Sequence, residues 1–154
     1  MTSQLEEVLS KRKQRLEEEA KLWESSRARW LKRLDNLFGT VKEWLKPLEE
    51  KGYITIETSE IGITEEVLGT YRAPSMTISF FGGESIRLVP KGLHVIGGKG
   101  RVDMKLGLRE VMIVGREDES GWFFAERVGH AKPRQFEFNR DHFEKLLREY
   151  LESA

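Results

Sequence analysis

Trp30-Leu-Lys-Arg-Leu34-Asp-Asn-Leu37-Phe-Gly39-Thr-Val41-Lys-Glu-Trp44-Leu-Lys-Pro47-Leu48 carries an apolar side chain every three or four residues. That spacing belongs to a helix with one apolar stripe. Seven-residue steps link Trp30, Leu37 and Trp44, and the same row runs back through Trp23, Leu16 and Leu9. Four residues after each come Lys13, Ala20, Arg27, Leu34, Val41 and Leu48. This second row is apolar from Leu34 onward and, before that, only at Ala20. The seam is therefore narrow early and broad late. A seven-residue repeat keeps one stripe turned toward a partner helix. Ser3-x-x-Glu6 reads as a capping box, and Glu7–Lys11 and Glu17–Lys21 are favourable pairs one turn apart.

Gly39 interrupts this pattern chemically but not in phase. It suits a left-handed position just past a helix, and Thr40-x-x-Glu43 reads as a second capping box. The expectation is a helical arm over 1–51 made of two helices, about 3–38 and 40–51, broken near Gly39, with Pro47 kinking the second. The first helix is then roughly 50 Å long. That exceeds the diameter of a globule of about a hundred residues, so part of the helix projects or packs on another chain.

Downstream the rule changes. Gly39 is the only glycine before residue 52, and the rest of the 14 follow at turn-like intervals. Gly52 ends the helix and Tyr53-Ile-Thr-Ile-Glu57 starts a strand. Met76-Thr-Ile-Ser-Phe80 alternates cleanly, and Phe81-Gly-Gly-Glu84 reads as a hairpin turn leading to Ile86 and Leu88. Leu93–Ile96, Arg101–Leu106, Glu110–Gly115, Trp122–Arg127 and Gln135–Phe138 follow as further strands. Asn139 caps a last helix with the stripe Phe143, Leu146, Leu147, Tyr150, Leu151. Short connections favour antiparallel pairing. The expected fold class is α+β: a long N-terminal helical arm, then over 52–154 an antiparallel meander of five to seven strands with a C-terminal helix packed on the sheet.

Composition removes many functions. Lys plus Arg is 26 and Asp plus Glu is 26, so the chain has no net positive field to drive non-specific nucleic-acid binding, and a nucleic-acid partner is not expected. Cysteine is absent, which excludes disulfides, zinc–thiolate and iron–sulfur sites and cysteine catalysis. The start of the chain lacks a basic region followed by an apolar run, and no stretch approaches the roughly 20 apolar residues of a spanning helix. A cytoplasmic protein without a membrane contact is expected.

The most motif-like segment is Gly97-Gly-Lys-Gly-Arg-Val-Asp-Met104. It fails the phosphate loop, which needs Gly-Lys-Ser/Thr opening a helix. It fails the dinucleotide fingerprint because Asp103 stands where the third glycine belongs. A tight turn using positive φ explains it; a nest of backbone N–H groups flanked by Lys99 and Arg101 is the anion-binding alternative. Asp103-Met-Lys105 also matches the Asp-x-Lys core of a nuclease class, with Glu84 as the available further acid. Arg101, Asp103 and Lys105 otherwise form the wet face of an alternating strand. His94, His130 and His142 lack metal-site spacing, and neither a metal nor a cofactor is expected. Glu65-Glu66 and Glu117-Asp-Glu119 read as solvated connections, with Val67 and Leu68 packed inward.

Val89-Pro-Lys-Gly-Leu-His-Val-Ile-Gly-Gly-Lys-Gly-Arg-Val-Asp103, preceded by Glu65-Glu-Val-Leu-Gly-Thr-Tyr71, resembles small bacterial proteins that share an Ile-Gly-x-x-Gly-Arg-Val-Asp segment. The resemblance covers about a third of the chain. It implies a bacterial, cytosolic origin and carries no activity, so it transfers no site residues.

Two functions follow as expectations. The first is a non-enzymatic interaction module that self-associates or docks a protein partner through Leu9, Leu16, Trp23, Trp30, Leu34 and Leu37. A row of exposed tryptophans would cost solubility and mark an interface. The second is a phosphate-ligand or nucleic-acid processing protein centred on Lys99, Arg101, Asp103 and Lys105.

Overall fold

The structure, a computed structural model, describes residues 3–95 and 98–153. It opens with a single helix, α1 (Gln4–Glu50), of 47 residues, about 70 Å at the standard rise. The Ser3 hydroxyl accepts the Glu6 amide at 3.0 Å and caps its start. Its end is set at Gly52, whose φ is 77°. There the Gly52 amide donates to the Glu49 carbonyl and the Tyr53 amide to the Leu48 carbonyl, each at 3.0 Å, which is the Schellman pattern.

The expected break near Gly39 does not occur: α1 runs through it. Glycine in a helix interior costs about 1 kcal/mol relative to alanine. Leu37, Phe38, Val41 and Leu45 are buried on either side of it, and their burial outweighs that cost several-fold. Thr40 is not a cap. Its hydroxyl donates back to the Asn36 carbonyl at 3.0 Å, as a threonine inside a helix does.

Seven strands follow as a continuous antiparallel meander, with the spatial order equal to the chain order. They are β1 (Ile54–Glu65), β2 (Gly69–Phe80), β3 (Ser85–Val95), β4 (Gly98–Leu106), β5 (Arg109–Gly115), β6 (Trp122–Glu126) and β7 (Arg134–Glu137). The closing helix is α2 (Arg140–Ser153), capped by Asn139, whose side-chain oxygen accepts the His142 amide at 2.8 Å. The architecture is the expected α+β. Among the described residues no helix is long and apolar enough to cross a membrane.

One sheet face is covered by both helices. Trp30, Leu34, Val41 and Leu45 of α1 join Ile78, Ile86, Leu88, Met104, Ile113 and Phe124 of the sheet and Phe143, Leu146 and Leu147 of α2 in one core. The two helices meet where Trp44 lies 5.6 Å from Phe143, ring to ring. The β1–β2 ribbon has an unbroken register from Ile54↔Phe80 to Glu65↔Gly69, yet its buried side changes along its length. Met76 and Ile78 are buried near its base; Tyr71, Ala73 and Ser75, of opposite parity, are buried toward its tip. A long two-stranded ribbon twists strongly, so its tip turns the other face to the core. Leu68 in the tip is buried as expected, whereas Val67 is exposed.

Candidate interaction surface

Every residue from Ser3 to Ser25 is exposed. About 100° of helix turn per residue places Leu5, Leu9, Leu16 and Trp23 in the angular sector that Trp30, Leu34, Val41 and Leu45 fill further on. The stripe is thus one continuous edge, roofed by the sheet from Trp30 and bare before it. Leu9 and Leu16 are each 51% exposed and Trp23 is 39% exposed; Trp30 is 0% exposed. Trp23 meets the body edge-on, with its ring 5.9 Å from His94.

The expectation that Trp30, Leu34 and Leu37 lie on an interface is corrected: all three are core residues. The heptad row itself runs on unchanged across this limit; only the second row, apolar from Leu34 onward, widens close to it.

A chain of polar contacts holds α1 where it leaves the body. The Trp30 indole Nε1–H donates to the Tyr71 hydroxyl at 2.9 Å, and that hydroxyl donates to Glu65 Oε2 at 2.5 Å. Glu65 Oε1 accepts the backbone amides of Leu93 at 2.9 Å and His94 at 3.1 Å. Burial, reinforced by the hydrogen bond to Glu65, raises the Tyr71 hydroxyl above the usual phenol range. Glu65 is therefore not the solvated connector its Glu-Glu neighbourhood suggests; it ties the β1–β2 tip to β3. Arg27 adds a bond from Nη1 to the Leu68 carbonyl at 3.4 Å.

Gly100 lets this arrangement close. Its φ is 101°, and a Cβ there would stand 2.2 Å from Cζ3 of Trp30. A Cβ on Gly98 would stand 2.4 Å from the Gly115 carbonyl oxygen. The described glycines of the motif-like segment thus serve packing between β4, β5 and α1. Ile96 and Gly97 lie outside the described residues.

Arg33, one turn after Trp30, sits over the Trp122 ring at 4.9 Å and 5.9 Å from the Trp30 ring. Glu119, at the β5–β6 turn, approaches it at 3.9 Å and Arg29 at 3.7 Å. Burial lowers the Arg33 pKa, and the charge of Glu119 opposes that. Arg33 Nη1 and Nη2 are buried without a hydrogen-bond partner among the described residues, and the guanidinium rests on the two tryptophan faces.

The other candidate set lies on β4 and is not an open cluster. Asp103 is 1% exposed. Arg101 closes on it with both ends of its fork, Nε to Oδ1 at 2.6 Å and Nη2 to Oδ2 at 3.1 Å. Glu110 stands across the β4–β5 ladder from Lys105. A hydrogen bond to Asp103 raises its pKa most, then burial and the Asp103 charge, against Lys105 and Arg101. Lys105 also stands opposite Arg87, while Lys99 is exposed at the start of β4. Glu84 belongs to the β2–β3 turn, its carboxylate beside Gly82. Among the described residues no three His, Asp or Glu side chains converge as a metal would require.

A third cluster escaped sequence reasoning. Arg109 binds Glu126 through Nε at 2.6 Å and Nη2 at 2.9 Å, and Glu149 of α2 through Nη1 at 2.8 Å. The hydrogen bonds from Arg109 hold both carboxyls below the usual range. Glu126 shares a strand face with Trp122 and Phe124 and is 7% exposed. Its partner lies 17 residues away in sequence.

Fold and surface define a class: an α+β protein in which one amphipathic helix is core from Trp30 onward and exposed before it. Comparison of the chain with protein-family models, with curated proteins and with solved structures gave no match in any of the three.

Proposed function

We propose that the protein is a non-enzymatic assembly module that self-associates through the bare edge of its N-terminal arm. One observation carries this reading: the stripe that makes the core from Trp30 onward continues through a half-covered Trp23 to the exposed Leu16, Leu9 and Leu5. Most helical stability in proteins comes from packing an amphipathic face, and before Trp23 the apolar side chains Leu5, Leu9 and Leu16 stay exposed. Covering them with protein removes apolar surface from water at no cost to the body. The interface is Leu9, Leu16 and Trp23, with Leu5 at its end. The setting proposed is cytoplasmic, in keeping with a charge-balanced, cysteine-free composition. The phosphate-ligand reading draws no support from β4, because Arg101 is committed to Asp103 and the glycines to packing.

Sedimentation tests it. The chain is expected to run as a dimer or higher oligomer at micromolar concentration. Leu9→Glu with Leu16→Glu is expected to weaken association by about a hundredfold, at the scale of central apolar interface residues, with the chemical unfolding midpoint of the body unchanged. A wild-type chain that stays monomeric at these concentrations overturns the reading.

A further inference from the structure

We infer that the occupant of the arm's edge is the same arm of a second copy, lying antiparallel, with the twofold axis near Gln14; this rests on the docking reading above. The first argument is steric. The free edge of the arm and the roofed edge of Trp30–Leu45 are one stripe on one side of α1. A parallel partner on that stripe would meet the sheet at Trp30, and each copy's sheet would occupy the space its partner's helix needs. The arms would have to splay. An antiparallel partner leaves in the other direction: its body lies beyond Ser3, and its tip arrives beside Trp23, short of the roof.

The second argument is charge. Lys11, Arg12, Lys13 and Arg15 form a basic block, and Glu17, Glu18 and Glu19 an acidic block right after it. In a parallel, in-register pair one flank of the seam faces the other flank of the second copy five residues on, so Arg12 meets Glu17 but Glu19 meets Glu24. Like charges so placed oppose association. Turned about a point between Gln14 and Arg15, Lys11 and Arg12 come level with Glu18 and Glu17 of the second copy. The same turn sets Leu9 against Ala20 and Leu16 against Lys13. The mixed second row, Lys13, Ala20 and Arg27, then offers leucines the alkyl stems and small side chains they can pack on.

The absence of cysteine makes the orientation measurable, since each introduced thiol is the only one in the chain. Gln14→Cys and Glu24→Cys, both at exposed positions away from the stripe, take a nitroxide label separately, and pulsed dipolar spectroscopy reads the separation between copies. The antiparallel pair gives a short separation at Gln14. At Glu24 the labels lie further apart, by an axial offset of about 30 Å for two ten-residue displacements. Equal separations at the two positions, in a chain that sediments as a dimer, overturn the antiparallel arrangement and leave arm docking standing. No dipolar separation at either position, with monomer mass, overturns both.

Discussion

The two halves of α1 share a helix, a stripe and a heptad phase, and differ in one respect: what lies over them. From Trp30 to Leu45 the stripe packs against the sheet and is lost to solvent; from Leu5 to Trp23 the same kind of side chain stands in water. Two tryptophans on one row, seven residues apart, therefore have different duties. Trp30 is a keystone of the core, bonded to Tyr71 and pressed on Gly100. Trp23 rests an edge on His94 and leaves much of its ring free. A helix edge has no fixed role; the neighbouring layer assigns it.

The sharpest break of this comparison is a pair of truncations. Trp30→Ala removes a fully buried ring and is expected to destabilise the fold by about 4 kcal/mol. Trp23→Ala is expected to change monomer stability by less than about 1 kcal/mol. Denaturant titration with the protein kept below its association range measures both, and similar losses at the two sites would end the contrast. Gly100→Ala comes next, at about 3 kcal/mol, from overpacking against Trp30 together with a positive φ. If its loss is under 1 kcal/mol, on the same rough scale of overpacking costs, Trp30 does not press on β4 as described.

Arg109→Ala strips the buried Glu126 of its fork and is expected to cost about 2 kcal/mol, below the usual range for a buried pair because Arg109 is partly exposed. Here pH adds a sign. Arg109 holds Glu126 and Glu149 below the ordinary carboxylate range. Their stabilisation is complete above the unfolded value, about 4.3 for glutamate, and is lost as pH falls through the lowered folded values. The gap between wild type and Arg109→Ala should therefore close below about pH 4. Calorimetry across pH 3 to 7, roughly the window those values define, checks it, and a gap that widens on acidification contradicts the cluster. The smallest effect sharpens the comparison along α1 itself. Gly39 is exposed, helical and has open space around a would-be Cβ. Gly39→Ala should stabilise by up to about 1 kcal/mol; destabilisation would mean that the helix bends there after all.

Much of this architecture was readable in the chain because periodicity is local. A seven-residue row in the first third and two-residue alternation with regular glycines afterwards separate helix from sheet, and Ser3, Gly52 and Asn139 mark helix ends through chemistry acting within four residues. Gly39 misled for the opposite reason. Its propensity is a local cost, and the burial that overrides it comes from strands far along the chain. Glu65 misled likewise: its partners are Tyr71 across a turn and the amides of Leu93 and His94, and only folding of the ribbon tip onto β3 brings those together. Of the residues expected on the docking edge, Leu9, Leu16 and Trp23 stand exposed, and Trp30, Leu34 and Leu37 do not.

By itself the amino-acid order determined that a long amphipathic helix precedes a meander of strands, since hydrophobic period and turn chemistry act over a few residues. Only the tertiary structure decided how far the sheet reaches along that helix, and hence which part of one uninterrupted stripe is core and which is bare. Coverage depends on the coiling of β1–β2 and the close approach at Gly98 and Gly100, which are long-range packing outcomes; within α1 only the broadening of the seam from Leu34 accompanies them.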